Sequence, residues 1–206
     1  MEKIDVKKEF KDFYNPPSKQ VVAVDVPAFN FLMVDGMGDP NTSQDYKDAI
    51  EALFTVSYTL KFMVKKGKTA VDYGVMPLEG LWWADDMNSF TGGKKDTWKW
   101  TAMIMQPKYV TESLFQEAVA QVKKKKNPAA LPKVRFENFH EDQSAQIMYF
   151  GPYSGEKETI EKIHGFIKQK GYELSGKHHE IYLSDPRKSA PEKLKTIIRQ
   201  PMKKNL

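Results

Sequence analysis

The two halves of this 206-residue chain repeat the same order of secondary-structure signals. In each half a strand-like segment that ends in glycine precedes a helical pattern, at Val34-Asp35-Gly36 and again at Tyr149-Phe150-Gly151. The last strand-like segment of each half ends in Gln-Pro, at Gln106-Pro107 and at Gln200-Pro201. Self-similarity of this kind is typical of a duplicated unit. We therefore predict an α+β fold in which duplicated strand-helix-strand-strand units form a curved antiparallel sheet, with helices on one face and a ligand cleft on the other.

The hydrophobic periodicity also sets the boundaries of the repeats. The first repeat spans about residues 21–107, a helix within residues 108–126 bridges the two copies, and the second repeat spans about residues 133–201. Residues 1–20 form an N-terminal extension, and we expect residues 21–206 to form a single domain.

Individual elements follow from the same pattern. Residues 20–36 alternate between apolar and polar types with a break at Pro27-Ala28, which predicts two strands joined by a tight turn. A helix begins after an N-cap at Asn41, Thr42 or Ser43 and stops at Lys65-Lys66-Gly67. Two further helices are predicted, over residues 112–125 and around Ile160–Ile167. The remaining strands flank polar turns in three pairs: 73–83 with 98–106, 134–140 with 145–151, and 178–183 with 195–200.

The composition excludes several kinds of site. The chain has no cysteine, so a disulfide framework, a thiolate metal site and a cysteine nucleophile are all excluded. The N-terminus lacks a basic segment followed by an apolar stretch, and no apolar run is long enough to span a membrane, so we expect a cytoplasmic protein with no membrane partner. The net charge of +5 permits nucleic-acid binding without requiring it. The run Lys123–Lys126 suits the C-terminal end of a helix, so we expect no nucleic-acid partner.

Two glutamates are the candidate functional acids. Glu79 and Glu180 lie in the corresponding strand of each half, and alternation places Glu180 and Tyr182 on one face. If the aliphatic face meets the helices, both acids project into one cleft on the free face of the sheet. Aromatic residues are the candidate walls of this cleft: Tyr73, Trp82, Trp83, Trp98, Trp100, Tyr149 and Tyr153. The alternative is that each glutamate is an exposed residue or an edge-strand charge that opposes aggregation.

Metal and nucleophile motifs are not visible in the sequence. His178 and His179 are adjacent on a predicted strand, so they point to opposite faces and cannot share a metal ion. The Gly-x-Ser-x-Gly motif of a nucleophile elbow does not occur. We therefore expect neither a metal nor an organic cofactor.

The sequence resembles the GyrI-like small-molecule-binding domains, a family that includes effector domains of multidrug-responsive activators. The resemblance rests on the duplicated unit, on Tyr149-Phe150-Gly151-Pro152-Tyr153 and on residues 179–186, His-Glu-Ile-Tyr-Leu-Ser-Asp-Pro, and it extends from about Val21 to Pro201. It implies that Glu180 lies at the floor of an aromatic pocket. The N-terminal segment Lys7–Pro17 and the tryptophans of Leu81-Trp82-Trp83 and Trp98-Lys99-Trp100 are similar to those of the branch of cyclopropanoid cyclopropyl hydrolases. That branch opens the reactive ring of DNA-alkylating natural products with water.

The resemblance implies a mechanism and a partner class. Glu180 and Glu79 would orient or activate water and donate a proton, and Tyr182 would hydrogen-bond an oxyanion or position a glutamate. Trp82, Trp83, Trp100, Tyr149 and Tyr153 would bind a hydrophobic aromatic or cationic small molecule. Two other functions stay open: sequestration of such compounds without catalysis, and inhibition of a DNA topoisomerase. The protein would be a monomer or a homodimer.

Overall fold

A computed structural model describes residues 2–85 and 95–205 and has a mixed α/β fold with antiparallel sheets, as predicted. The chain divides into two compact units. Unit 1 comprises Met1–Val6 and Phe29–Phe139, and unit 2 comprises Lys7–Ala28 and His140–Leu206. Most of the predicted turn between the strands at 73–83 and 98–106, residues 86–94, lies outside the described residues. No helix in the described ranges combines the length and apolar character that a membrane crossing needs.

Unit 1 contains one antiparallel sheet with helices against it. Its elements are β1 (Glu2–Ile4), β3 (Phe29–Met37), α3 (Gln44–Lys66), β4 (Val71–Tyr73), β5 (Leu78–Trp83), β6 (Lys99–Gln106), α4 (Glu112–Lys125) and β7 (Arg135–Phe139). The sheet order is β5-β6-β3-β7, and β1 pairs in parallel with β4. Helix α3 packs on β3, β6 and α4.

Unit 2 repeats this arrangement with one principal helix. The short helix α1 (Val6–Glu9) crosses the boundary between the units; the other elements are α2 (Lys11–Tyr14), β2 (Val22–Val26), β8 (Asp142–Phe150), α5 (Lys157–Gln169), β9 (Tyr172–Leu174), β10 (His178–Tyr182) and β11 (Lys195–Lys204). The antiparallel order is β2-β8-β11-β10, and β9 pairs with the far end of β11. Helix α5 packs on β8, β9 and β11.

The leading strands of the two repeats are exchanged. The strands on either side of Pro27-Ala28 form as predicted, but β2 pairs with β8 while β3 pairs with β6 and β7. The strands β7 and β8 likewise pair with different partners. Pro27 has no N–H to donate, and Asp142 adopts a φ of 66°, so neither connection continues a regular hairpin ladder. The alternation of apolar and polar residues therefore predicted these strands correctly, but the expected pairing of each strand with the next one along the chain is wrong.

Helix α3 begins and ends where the sequence indicates. Ser43 is the N-cap, since its hydroxyl accepts a hydrogen bond from the backbone N–H of Tyr46 at 3.3 Å. Gly67 follows the last helical residue, and its N–H donates to the Met63 carbonyl. Lys65 and Lys66 occupy the last turn, where positive charge is favourable.

Gly36 is required by the packing of Trp100. The two residues are opposed across β3 and β6, and the indole of Trp100 lies over the glycine. A Cβ added at Gly36 would lie 2.2 Å from two ring carbons of a tryptophan that is 1% exposed. We expect Gly36→Ala to lower the free energy of unfolding by about 2–3 kcal/mol, because the ring has no room to move. Chemical denaturation would measure this loss. Gly74→Ala is the control, since no atom lies within 4 Å of its added Cβ, and equal stability of the two variants would contradict the packing argument.

Candidate functional site

Glu180 lies on the sheet face that carries helix α5. It is opposed to Ile198 of β11, which is in turn opposed to Ile147 of β8. Directly opposed residues of antiparallel strands project to the same face. Ile147 and Ile198 pack with Ile163 of α5 in one buried cluster, so Glu180 projects to the helix side. The sequence prediction that Glu180 and Tyr182 share a face is confirmed, and the prediction that this face is the one without a helix is wrong.

The physical reason is that both faces of the unit 2 sheet are buried. Ile181 is fully buried on the face opposite to Glu180. Arg199 shares that face and donates a hydrogen bond to the carbonyl of Phe13 in the N-terminal segment. An aliphatic residue therefore does not identify the helix-covered face here, because the other face is also removed from water.

The carboxylate of Glu180 is held by hydrogen bonds from its own strand. His178 Nε2 lies 3.1 Å from Glu180 Oε1, and the Tyr182 hydroxyl donates to Oε2 at 2.7 Å. Burial alone would raise the pKa of Glu180, but these hydrogen bonds and the charge of His178 outweigh it and lower the pKa below its usual value. Glu180 is therefore ionised at neutral pH and fixed in orientation.

A second carboxyl group, from Glu156, shares a side-chain hydrogen bond with Glu180. Glu156 directly precedes α5 and is 4% exposed. Burial, the negative charge of Glu180 and a hydrogen bond with it raise the pKa of Glu156 to about 9, although the nearby Thr196 hydroxyl opposes this shift. Glu156 was not predicted as a site residue, since Ser154-Gly155-Glu156-Lys157 has the composition of a solvated turn. Its position directly before a helix, shortly after the Gly151-Pro152-Tyr153 motif, was the available indication.

Two of the predicted aromatic residues lie beside this pair of acids. The rings of Tyr153 and Tyr182 form an edge-to-face contact with centroids 5.5 Å apart. Burial and the negative charges of Glu156, Glu180 and Asp185 raise the pKa of Tyr153 to about 12, and its side chain remains partly exposed. The structure therefore places Glu180, Tyr182 and Tyr153 together, with an aromatic ring accessible from solvent.

Tyr149 stabilises a turn next to the site by a hydrogen bond to the backbone. Its hydroxyl donates to the carbonyl of Pro152 at 2.9 Å and lies close to both Gly151 and Gly155. Gly151 has a φ of 141°, and a Cβ there would lie 2.5 Å from the Tyr149 hydroxyl. These contacts shape the turn that leads to Glu156. A ligand contact of Tyr149 stays a prediction.

Glu79 is not the equivalent of Glu180. Glu79 is opposed to Met103, which lies three residues before Gln106. The equivalent position before Gln200 is Ile197, and the residue opposed to Ile197 is Ile181 rather than Glu180. The neighbouring Trp82 and Trp100 pack on Tyr46 of α3. Glu79 is three residues from Trp82 on the same strand, so its side chain projects to the opposite face of the sheet, away from the helix. The predicted equivalence of the two acids is wrong by one residue of register. Glu79 is fully buried, and a catalytic role for it stays a prediction.

The tryptophans have the contacts of core residues. Trp82 and Trp100 are opposed on β5 and β6, and their rings lie 5.8 and 4.9 Å from the ring of Tyr46. The ring of Trp98 packs edge-on against Trp82. Trp83 is half-buried on the same face as Glu79. Tyr73 is also buried, and burial raises the pKa of its hydroxyl. Ligand stacking on these rings stays a prediction.

A buried charged network occupies the other face of the unit 2 sheet. Glu141 accepts a hydrogen bond from Arg199 Nη1 at 2.8 Å and lies 2.8 Å from His179 Nδ1. Arg199 also donates to Gln146 and to the Phe13 carbonyl. Burial disfavours the ionised form of Glu141, but the charges of His179 and Arg199 prevail and lower its pKa to about 2. Residues 141–144 were predicted to form a polar turn, which gave no indication of this network.

The described residues also contain one exposed group of possible metal ligands. Asp25, His140 and Asp142 offer ligand atoms within 4.8 Å of one another. All three are exposed, and acidic groups of this kind are common without a metal ion. We assign no metal site to them.

Comparison with known proteins identifies close structural relatives. The family model of the GyrI-like small-molecule-binding domain matches residues 19–203. An uncharacterised conserved protein from Listeria innocua is 41% identical, with 97% of this chain and 100% of that chain covered and a TM-score of 0.89. A hydrolase from Listeria innocua is 40% identical, with 97% and 100% covered and a TM-score of 0.85. The C-terminal domain of EcmrR shares the fold at 12% identity, with 90% and 98% covered and a TM-score of 0.55. No curated protein matches the chain.

Proposed function

Because this chain belongs to the family of GyrI-like small-molecule-binding domains, we propose that it binds flat aromatic electrophiles and hydrolyses cyclopropanoid alkylating compounds. The observation that carries the proposal is the ionised, hydrogen-bonded carboxylate of Glu180 beside the rings of Tyr153 and Tyr182. A relative 40% identical over almost the whole chain is described as a hydrolase, which agrees with a catalytic role.

The proposed reaction needs a base next to an apolar wall. Glu180 accepts a proton from a water molecule as that water attacks the least hindered cyclopropane carbon. The ring carbon–carbon bond breaks, and its electron pair moves into the conjugated carbonyl, whose oxygen then takes up a proton. The net change is the addition of one water molecule. Tyr182 donates to Glu180, which supports the positioning role for this tyrosine over contact with an oxyanion.

The second candidate function is sequestration without turnover. Glu156 and Glu180 are in contact, and the raised pKa of one and the lowered pKa of the other leave a single negative charge on the pair. A single, partly buried negative charge beside two aromatic rings also suits an aromatic monocation.

Product analysis separates the two functions. Purified protein is mixed with an excess of spiro-cyclopropane alkylating compounds, and mass spectrometry measures water addition against a protein-free control. The expected result is many turnovers per protein molecule. Tight binding at one equivalent without added water would favour sequestration, and the absence of both would contradict the proposed function.

A further inference from the structure

Glu156 has the surroundings of a carboxylic acid rather than a carboxylate. It is buried, and within the described part of the chain no hydrogen-bond donor reaches its Oε1 atom. Its hydrogen-bonded neighbour is the carboxylate of Glu180, which has no proton to offer once it is ionised. A hydrogen bond between two carboxyl groups requires one proton, and Glu180 already accepts from His178 and Tyr182. The proton therefore resides on Glu156.

We propose that Glu156 is a positioning residue that donates a hydrogen bond to the Glu180 carboxylate and keeps the pair of acids at one negative charge. The inference rests on the proposed function in so far as Glu180 is the base. Glu156 acts through Glu180: it supplies a third donor that fixes the carboxylate. If Glu156 lost its proton, the donor would be lost and two negative charges would repel each other at close range.

The groups that surround the pair determine how it titrates. They are His178 and Tyr182 from β10, Thr196 from β11, Tyr153 from the turn before α5, and Tyr149 from β8. His164 of α5 lies near His178, and burial together with the charge of His178 lowers its pKa. The negative charges of Glu158 and Asp185 act on Tyr149 and Tyr153, whereas the negative charge that acts on Glu156 is that of Glu180, so the pair itself favours one retained proton. The raised pKa of about 9 for Glu156 agrees with this assignment.

The kinetic test compares Glu156→Gln with wild type across pH. For wild type we expect kcat/KM to fall as the pH rises through about 9, because Glu156 then loses its proton. The glutamine amide still donates a hydrogen bond but cannot ionise. We expect Glu156→Gln to lower kcat/KM at pH 7 by about fivefold, because the amide is the weaker donor, and to abolish the alkaline fall. Glu156→Ala should lose activity at every pH.

Glu158→Gln is the matched control, since Glu158 is an exposed acid in the first turn of the same helix. It should keep the wild-type profile, alkaline fall included. An alkaline fall that persists in Glu156→Gln would overturn the proposal, as would a Gln variant that is as inactive as the Ala variant at all pH values.

Infrared spectroscopy tests the same pair without any substrate. With isotope-labelled glutamate, the carbonyl stretch of a carboxylic acid should be present at pH 7, persist in Glu158→Gln and vanish in Glu156→Gln. If the wild-type protein lacks that band, the proposal is wrong whether or not the protein hydrolyses the compounds. If the band behaves as expected and no compound is hydrolysed, the proposed function fails and the proton-sharing pair stands.

Discussion

Replacement of Glu180 by glutamine is expected to lower kcat by at least about 100-fold while the substrate still binds. General-base catalysis contributes about 10²–10⁴ to a rate, and glutamine keeps the shape of glutamate without its proton affinity. The side-chain oxygen of the introduced glutamine can still accept from Tyr182, so the site should retain its form. Single-turnover hydrolysis gives the chemical rate, and quenching of intrinsic fluorescence gives the dissociation constant of a neutral substrate.

The same role for Glu180 predicts how the activity changes with pH. Glu180 must be ionised to act as a base, and its lowered pKa means that activity should survive to a pH below the ordinary carboxyl value of 4.5. Glu173→Gln, an exposed acid on β9 paired with Lys203, is the control and should leave kcat unchanged. Wild-type turnover in Glu180→Gln would remove Glu180 from the mechanism. A loss of binding equal to the loss of turnover would point instead to recognition of a cation.

The elements of the fold could be predicted because their ends carry local chemistry. Ser43 and Gly67 mark the start and the end of α3, and Gln106-Pro107 marks the end of β6. The expected end at Gln200-Pro201 is wrong, because β11 continues through Pro201 to Lys204 and pairs there with β9. Strand partners carry no such mark: alternation tells which residues share a face and gives no information on the neighbouring strand. The exchange of β2 and β7 between the sheets therefore required the structure.

The error over Glu79 and Glu180 has the same origin. Both acids lie on the corresponding strand, but the connections that lead from these strands to the Gln-Pro landmarks differ in length, so counting along the chain did not fix the register. A shift of one residue moves a side chain to the opposite face of a sheet. Glu180 is therefore opposed to Ile198, and Glu79 to Met103, which lie at non-equivalent positions of the repeat.

Buried polar groups were the least predictable feature. Glu141 and Glu156 both lie in short polar segments that are typical of solvated turns, yet both are almost fully buried. Each has a partner distant in sequence: Arg199 for Glu141, and Glu180 for Glu156. Such pairs become visible only when the sheet brings the strands together.

Removal of the Arg199 guanidinium is expected to be the most destabilising single change in unit 2. The variant Arg199→Met keeps much of the apolar stem, but it leaves Glu141 buried with only one of its two charged partners and the Phe13 carbonyl without its donor. Loss of one member of a buried ion pair costs about 3–5 kcal/mol. We expect the free energy of unfolding, measured by urea denaturation, to fall by that amount, and residues 7–20 to become more susceptible to proteolysis.

The titration of Glu141 shows how much of the stability lost in Arg199→Met is electrostatic and how much comes from lost packing. Its pKa of about 2 lies below the unfolded value near 4.5, so its contribution to stability is present above pH 4.5 and is lost as the pH falls toward 2. Without Arg199 the pKa of Glu141 should rise, and acid unfolding should move to higher pH.

The double variant Arg199→Met with Glu141→Leu should recover part of the stability, because it leaves no buried carboxylate without a guanidinium partner beside His179. Arg187→Met removes the ion pair that the exposed Arg187 makes with Asp185, and it should cost far less stability than Arg199→Met, because water screens such a pair. If Arg199→Met proves no more costly than Arg187→Met, the network does not anchor the N-terminal segment.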